Sequence, residues 1–383
     1  MKRLTLIVIL VALGFTVAIT GCKNDSSSGS SNTIIIGEYA SLTGGTATFG
    51  TSSHKGLILA VEQVNAAGGL FGKQIKVETA DDRSDANEAV TAVQKLINQD
   101  KAVAIIGEVA SKRSMAGSSI CERFKIPMLS PASTNPDVTM KDGKVKPYIF
   151  RICFTDDFQG KMNGRFASEQ GWKRIAMLSN IEEDYSQGLG KSFRQAYSGS
   201  GQILTEENYS NSDRDFKSQL TKIKAVNPDA VYVPGYYTEM KLMLPQAKEV
   251  GLNVPFFGGD GWDSPETLAL DAAQGMFYSD HYTAEDPRKE VADFVAAYKA
   301  KYKETPDAMA VLGYDAGRVM LDAIKRAGKA EPEAIRTALE QTKDFAGASG
   351  TITIDSKHNA RKPLVELKIQ DKKAKLFKTY LPE

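Results

Sequence analysis

The chain has 383 residues, of which 42% are hydrophobic, and its 48 basic and 47 acidic side chains give a formal net charge of +1. A single hydrophobic core rarely grows beyond about 250–300 residues, so this length predicts two lobes rather than one domain. The near-neutral charge and the lack of a long basic run in the sequence argue against a nucleic acid partner.

The first residues have the order of a secretory signal. Met1-Lys2-Arg3 is followed by an apolar run from Leu4 to Ile19. A transmembrane anchor is the alternative, but the run is shorter than the roughly 20 apolar residues that span a bilayer. Residues 1–21 are therefore predicted to be a signal peptide.

Residues 22–32 are predicted to form a lipidated, flexible tether. Ile19-Thr20-Gly21-Cys22 resembles the bacterial lipobox, which implies that Cys22 is acylated and becomes the first mature residue. Several acyl chains hold a protein stably at a membrane. The following residues are rich in Ser, Gly and Asn and cannot bury apolar surface. We therefore expect a lipid-anchored protein in the periplasm or on the outer face of the cell membrane.

Two further cysteines leave an alternative open. Cys121 and Cys153 could form a disulfide in an oxidising compartment. Both also stand in apolar surroundings, where buried free thiols are equally expected. The sequence does not give the distance between their Cα atoms, which decides the matter.

Strands and helices alternate through the first half of the folded part. A helix from Gly50 to Ala67 has an apolar face and ends at Gly68-Gly69. Further helices are predicted to end near Asn98 and to span Lys112 to Phe124. The strands predicted between them are residues 33–37, 75–79, 102–106, 127–130 and 148–151.

The second half repeats this order less regularly. A helix from Phe216 to Val226 is ended by Asn227-Pro228, since proline cannot continue a helix. Two later helices are predicted over residues 310–327 and 333–340. The predicted strands are residues 174–178, 230–233, 255–257, 351–355 and 364–369. Repeated βαβ units predict an α/β fold with doubly wound, mostly parallel sheets.

A search for catalytic motifs does not favour an enzyme. Gly188-Leu189-Gly190-Lys191-Ser192 is the nearest match to a phosphate-binding loop, but Tyr185 stands where that loop needs glycine. Asp81-Asp82 and Asp156-Asp157 precede predicted helices, where acidic residues act as caps more often than as catalysts. No cofactor is implied.

The three histidines do not predict a metal site. His54, His281 and His358 are far apart in the sequence and none has a second ligand at metal-binding spacing. Surface or capping roles are expected for all three.

Several segments resemble the leucine/isoleucine/valine-binding protein family, and they cover nearly the whole mature chain. They are Gly37 to Gly50, which contains Ser41-Leu42-Thr43-Gly44, then Ala60-Val61-Glu62, Asn65 to Gly69, Asp81-Asp82, Ile105-Ile106-Gly107 and Ile126 to Pro136.

The resemblance implies a type I periplasmic binding protein, in which two doubly wound lobes are joined by a three-segment hinge. The crossovers are expected near Ile152, Ser279 and Thr353. Residues 33–152 with 280–353 would form the N-terminal lobe, and residues 153–279 with 354–383 the C-terminal lobe. The ligand would lie between the lobes, beyond the carboxyl ends of the strands.

The resemblance also assigns ligand contacts. Ser111 would bind a carboxylate at a helix N-terminus, although an ordinary capping serine is the alternative. Thr134 would donate to the same carboxylate, and Asp260 would neutralise the ligand ammonium, which is costly to bury unpaired. The remaining positions expected at the site are Ala132, whose carbonyl would accept from the ammonium, and Tyr185, Tyr236, Ala110, Ser133, Phe49 and Trp262.

Two departures from the family pattern leave the ligand open. Asp260 stands where glutamate is usual, and Ser84 and Ala110 occupy the positions of a disulfide in the type member. Phe49 and Trp262 would shape a side-chain pocket for aliphatic, aromatic or small polar amino acids, or for an amide. For Trp262, packing between the lobes is the alternative.

The expected function is that of a monomeric binding protein of an ABC importer. Hinge closure would trap an amino acid, branched-chain or otherwise hydrophobic or small, and present it to the permease membrane subunits. The alternatives are a ligand sensor, or a carrier for an amide or small organic acid on the same fold.

Overall fold

The computed structural model describes residues 32–382. The predicted signal peptide, residues 1–21, and Cys22 lie outside these residues, as does almost all of the predicted tether. In the part of the chain that is described, no helix is both long enough and apolar enough to cross a membrane.

Strands and helices alternate as the sequence predicts. The strands are β1 (Thr33–Ala40), β2 (Gln74–Asp81), β3 (Ala104–Ile106), β4 (Met128–Ser130), β5 (Met140–Lys141), β6 (Lys144–Val145), β7 (Ile149–Arg151), β8 (Arg174–Asn180), β9 (Gln202–Tyr209), β10 (Ala230–Val233), β11 (Phe256–Gly258), β12 (Phe277–Asp280), β13 (Phe345–Gly347), β14 (Gly350–Ile354), β15 (Ala360–Arg361), β16 (Leu364–Gln370) and β17 (Lys373–Tyr380). The α-helices are α1 (Ala47–Ala66), α2 (Ala86–Asn98), α3 (Ser111–Phe124), α4 (Asp156–Glu169), α5 (Asp184–Tyr197), α6 (Lys217–Ala225), α7 (Tyr237–Glu249), α8 (Pro265–Leu268), α9 (Lys289–Tyr302), α10 (Ala308–Ala327) and α11 (Pro332–Glu340).

Two mostly parallel sheets organise the fold. The first has the order β2-β1-β3-β4-β7, and all its pairs are parallel. The second has the order β17-β16-β12-β11-β10-β8-β9, with only β16 and β17 antiparallel to their neighbours. The predicted α/β fold with two doubly wound sheets is confirmed. The lobe boundaries drawn from the sequence stay a prediction.

Several sequence-based element predictions were incomplete. The long first helix begins at Ala47 rather than at Gly50. Strands β9, β12 and β17 are not among the strands predicted from the sequence. In β9 the exposed and half-buried residues dominate, because it forms an edge of the second sheet, and such a strand lacks a continuous apolar run.

Helices α1 and α10 pack directly against each other after a long separation in the sequence. A Cβ atom on Gly56 would lie 1.9 Å from the carbonyl oxygen of Ala310, and one on Gly313 would lie 2.1 Å from that of Ser53. Only glycine permits this approach of the two backbones. The packing ties the late helix to the first sheet's layer.

The two cysteines of the described part are free and buried, so the disulfide alternative is wrong. Cys121 packs in the apolar cluster beside the first sheet. The Cys153 thiol lies 3.3 Å from the carbonyl oxygen of Ser133 and donates to it. Burial raises the pKa of both thiols, that of Cys153 to about 12, so neither is a reactive thiolate at neutral pH.

Candidate functional site

The predicted contact residues follow the carboxyl ends of strands in both sheets. Ser111 opens α3 after β3, and Thr134 follows β4 in the first sheet. Tyr185 in α5, Tyr236 before α7 and Asp260 follow β8, β10 and β11 in the second sheet. This edge is where open parallel sheets bind their ligands.

Ser111 is the first residue of its helix rather than the cap. The capping position belongs to Ala110, which is buried and has no side-chain hydrogen bond to the helix. The backbone amide of Asn135 donates to Ser111 Oγ at 3.2 Å. The Ser111 hydroxyl keeps its own proton for another acceptor, and it stands beside the positive end of the α3 dipole.

A buried arginine fixes the loop that carries Thr134. Arg151 donates from Nη1 to the carbonyl oxygen of Ser133 and from Nη2 to that of Asn135, both at 2.7 Å. The Ser133 hydroxyl is hydrogen-bonded to Ser114 Oγ at 2.6 Å and to the Glu108 carbonyl oxygen at 2.8 Å. Ser133 therefore supports the loop from behind, and its neighbour Ala132 is buried in the core.

The hydroxyl of Thr134 is buried near the Asp156 carboxyl group, but it has no well-aligned hydrogen-bond partner among the described residues. Its backbone carbonyl accepts from the amide of Asp156 at 2.9 Å. Because a buried hydroxyl without a partner is costly, this group is suited to bonding a ligand.

Asp260 lies at the centre of a buried network in the second sheet's layer. Its Oδ1 accepts from Tyr185 Oη at 2.8 Å and from Gln159 Nε2 at 2.9 Å. A Cβ atom on Gly259 would lie 2.4 Å from Tyr185 Oη, so glycine is needed for this approach. On the other side, His281 Nε2 lies 3.0 Å from Oδ2.

The expected surface or capping roles of the histidines are wrong. His281 is fully enclosed and stacks on Phe154, and burial lowers its pKa to about 4. His358 is buried against Phe150, and half-buried His54 is bonded to Glu38, which raises the His54 pKa. Each histidine meets its partner through tertiary packing that sequence spacing does not reveal.

Asp156 lies at the site although the sequence did not predict it there. It was expected to cap a helix, but Thr155 caps α4 and Asp156 is the next residue, fully buried. Neither of its carboxylate oxygens has a hydrogen-bond partner among the described residues. Burial raises its pKa well above the usual value, the nearby Thr134 hydroxyl opposes this rise, and the negative charge of Asp260 adds to it. Two acidic groups therefore lie close together beside the Thr134 loop.

The other acidic pair was also assigned wrongly. Asp81 accepts from the backbone amides of Leu42 and Thr43, and Asp82 accepts from Ser41 Oγ. The helix that follows is capped by Asp85 instead. Asp81 and Asp82 thus hold the loop after β1.

Aromatic rings form an apolar wall beside the acidic groups. Tyr236 stacks on Tyr185 with ring centroids 5.0 Å apart, and Phe49 meets Tyr236 edge-on at 5.8 Å. The hydroxyl of Tyr236 is buried without a partner in the part of the chain that the structure describes. Phe49 comes from the first sheet's layer, so the wall is built from both layers.

Trp262 does not join this wall. It is fully buried in the cluster that packs on the second sheet, and its indole donates to the Val233 carbonyl oxygen at 3.0 Å. The structure thus places this ring in the core of the second sheet's layer.

Polar contacts bridge the two layers around the site. Tyr237 Oη donates to the Gly45 carbonyl oxygen at 3.1 Å, and Thr48 Oγ1 donates to Glu266 at 2.9 Å. On the other side of the loops, Asn135 Nδ2 donates to the Asp184 carbonyl oxygen at 2.8 Å. The site is therefore enclosed rather than open.

A cavity of about 510 Å³ adjoins the aromatic wall and is lined from both layers. Tyr236 is the one predicted contact residue among its lining residues. Arg113 and Thr46 line it from the first layer, and Glu183 and Glu239 from the second. Arg113 Nε donates to buried Glu108 at 3.0 Å, which offsets the cost of burying the guanidinium.

The chain was compared with known proteins. The model of the family described as "Periplasmic binding protein" matches residues 33–374. A leucine-, isoleucine-, valine-, threonine- and alanine-binding protein of Pseudomonas aeruginosa is 30% identical over 335 residues, which are 87% of this chain and 88% of that protein.

Solved structures are similar over the same part of the chain. The leucine binding protein LivK of Thermotoga maritima is 35% identical with a TM-score of 0.86, over 91% of this chain and 99% of that one. The branched-chain amino acid transporter substrate-binding protein LivJ of Streptococcus pneumoniae, solved with isoleucine, is 33% identical with a TM-score of 0.86, over 91% and 100%.

Proposed function

This chain belongs to the periplasmic binding protein family, and on that premise we propose that it is the extracytoplasmic binding protein of an ABC importer. It binds an amino acid with a branched-chain or other hydrophobic or small side chain in the site between its two sheets. It acts as a carrier and performs no chemistry on the ligand. The Pseudomonas relative is named for leucine, isoleucine, valine, threonine and alanine, the Thermotoga protein for leucine, and the Streptococcus protein was solved with isoleucine, which supports this ligand class.

The buried acidic groups beside Thr134 carry the proposal. An α-ammonium group is costly to bury without an acidic partner, and Asp260 offers its carboxylate in a network already oriented by Tyr185 and Gln159. Asp156 supplies a second acidic group within the same enclosure.

The ligand carboxylate binds at the N-terminal end of α3. The Ser111 hydroxyl and the first amides of α3 offer hydrogen-bond donors, and the Thr134 hydroxyl has no other partner among the described residues. The positive end of the α3 dipole favours an anion there. Phe49 and Tyr236 then contact the side chain through their rings.

The permease detects ligand binding through closure of the site. The contacts of Tyr237 with Gly45 and of Asn135 with Asp184 join the two layers, and they form only when the layers meet. A ligand that touches both layers stabilises this state. Cys22 holds the monomeric protein at the outer face of the membrane, and the permease recognises the closed form.

The test is calorimetric titration of the purified chain lacking residues 1–25 with leucine, isoleucine, valine and alanine. Two leucine analogues serve as controls: 4-methylpentanoate lacks the ammonium and 3-methylbutylamine lacks the carboxylate. We expect the loss of either the ammonium or the carboxylate group to weaken binding by about 100-fold or more, because the buried protein groups that pair with it are left unpaired. Asp260→Asn should abolish binding, whereas Asp157→Asn on the exposed side of α4 should not.

Binding of 4-methylpentanoate or an amide in place of the amino acids would contradict the ammonium assignment. That result would favour the carrier for an amide or a small organic acid. Retention of full affinity by Asp260→Asn would also contradict the proposed role of this residue.

A further inference from the structure

A second large cavity is lined by none of the residues predicted to contact the amino acid. It encloses about 520 Å³, within the range of small-molecule sites. Leu268 and Leu367 line it from the second sheet's layer, and Pro306 and Asp307 from the segment that begins α10. The Ala308 amide donates to Asp263 Oδ2 at 2.7 Å, so the cavity lies where these two parts of the fold are joined.

Three acidic residues line this cavity, of which Asp263 and Asp280 are buried and Asp307 is half-buried, and none of them accepts a hydrogen bond from a cationic group. Asp263 accepts from the Ala308 amide and from Tyr278 Oη at 3.0 Å. Asp307 accepts from Ser52 Oγ at 2.6 Å, and Asp280 accepts from the His281 amide at 2.7 Å. These carboxyl groups therefore accept hydrogen bonds from backbone amides and hydroxyl groups, and Asp263 and Asp280 share a further hydrogen bond between their carboxyl groups.

A fourth polar group points to a ligand independently of the acidic residues. Tyr282 lines the cavity and is only 6% exposed, yet its hydroxyl has no hydrogen-bond partner among the described residues. Lysines stand at the rim, but Lys375 is paired with Glu285 and Lys372 with Asp271.

The residues that line the cavity indicate which class of ligand it can bind. The acidic groups disfavour an anion, and within residues 32–382 no cluster of acidic, histidine or cysteine side chains could hold a metal ion. Leu268, Leu367 and Pro306 offer apolar surface that a hydrated metal ion would not use. We propose that this cavity is a second binding site that takes an organic ammonium ion with a compact apolar body.

The acid–base properties of the cavity agree with this assignment. Burial raises the pKa of Asp263 and Asp280, and that of Asp307 to about 7, with neighbouring carboxylates adding to the rise. An ammonium ion would replace the protons that these groups otherwise retain.

The experiment titrates the protein with cyclohexylamine, and with cyclohexanol and cyclohexanecarboxylate as neutral and anionic analogues of the same shape. Binding is measured by calorimetry and by protein NMR shifts. We expect saturable binding of the amine, and affinity at least about tenfold lower for each analogue because the charge-assisted hydrogen bonds are lost.

Matched variants locate the binding. Leu268→Trp fills this cavity and should weaken amine binding at least tenfold, whereas Leu242→Trp, which lies in the cavity next to Tyr236, should leave it unchanged. Tyr282→Phe removes a hydroxyl without a partner among the described residues, so it should fold normally and bind the amine several-fold more weakly.

Asp260→Asn separates this site from the amino-acid site, because it should lose amino-acid binding and keep amine binding. The proposal is overturned if cyclohexylamine does not bind, if cyclohexanol binds equally well, or if both Leu268→Trp and Tyr282→Phe retain the wild-type affinity for the amine.

Discussion

His281 Nε2 lies 3.0 Å from Oδ2 of Asp260, and both side chains are buried. The ring stacks on Phe154 with centroids 3.7 Å apart. Because burial lowers the His281 pKa to about 4, the ring is neutral at neutral pH. It therefore orients the Asp260 carboxyl group without adding a positive charge that would compete with a ligand ammonium.

This contact predicts a pH dependence of stability. The unfolded histidine takes up a proton near its ordinary pKa of 6.5, but the folded one does so only near 4. The unfolded state therefore binds more protons in this window, and stability is lost as the pH falls from about 6.5 to about 4. The loss from this group is about 3 kcal/mol.

The measurement is urea denaturation of wild type and His281→Gln at pH 7.5 and pH 4.5. The variant should be less stable at pH 7.5 because it loses the stacking on Phe154, but its stability should fall less on acidification. Parallel losses in the two proteins would show that His281 is not the responsible group.

Asp156→Asn should weaken amino-acid binding by about tenfold or more, because it removes an acidic group from the enclosure around Asp260. Its effect on the free energy of unfolding should be small or stabilising, since the buried carboxyl group has no hydrogen-bond partner among the described residues.

Asp157→Asn is the matched control for this prediction, because Asp157 is exposed on the same turn of α4 and accepts from Ser192 Oγ. Calorimetric titration and urea denaturation of both variants check the prediction. Equal affinities of the two variants would contradict a ligand-binding role for Asp156.

Tyr237→Phe should weaken ligand binding about three- to tenfold, although Tyr237 is not expected to contact the ligand. The variant removes two hydrogen bonds between the layers, the one that Tyr237 donates to the Gly45 carbonyl at 3.1 Å and the one that it accepts from the Thr48 amide at 3.3 Å. Tyr302→Phe is the control, because its hydroxyl donates to the Lys55 carbonyl at 2.9 Å within one layer. If both variants lose the same affinity, the Tyr237 bonds have no special role in closure.

Gly56→Ala should destabilise the protein by about 1–3 kcal/mol, because the new Cβ would stand 1.9 Å from the Ala310 carbonyl oxygen and separate α1 from α10. At Gly45 a Cβ atom would meet open space, so Gly45→Ala should change the free energy of unfolding little. Urea denaturation compares the two. If Gly56→Ala leaves the free energy of unfolding unchanged, α1 and α10 can move apart without cost and the prediction is wrong.

The two buried thiols should not react with a thiol reagent in the native protein lacking Cys22, and both should react in urea. Burial and the raised pKa values of Cys121 and Cys153 are the reasons. A reducing agent should leave the melting temperature unchanged. A lower melting temperature in the presence of the reducing agent would indicate a disulfide.

The periodic elements of this fold could be predicted from the sequence because each depends on neighbouring residues. The apolar face of α1 and the Asn227-Pro228 end of the helix before β10 are local patterns. Strand β9 could not be predicted in this way, because it lies at the edge of the second sheet and its exposed polar residues give no apolar pattern.

The site residues also fall into those that the sequence predicts and those that only the structure reveals. Sequence motifs directed attention to Ser111, Thr134, Tyr185, Tyr236 and Asp260, which follow strand ends in both sheets. They did not identify Asp156, whose burial follows from the packing of α4 against the Thr134 loop, or His281, which meets Asp260 across 21 positions.

Local sequence patterns specify most of the alternation of strands and helices, the turns between them and the chemical groups that follow each strand. Which groups are buried depends on tertiary packing, since burial requires segments distant in the chain to come together. Tertiary packing enclosed Asp156 and Asp260, left Cys121 and Cys153 apart as free thiols, and placed Trp262 in a core. Those outcomes depend on distances between elements, which no local pattern of residues encodes.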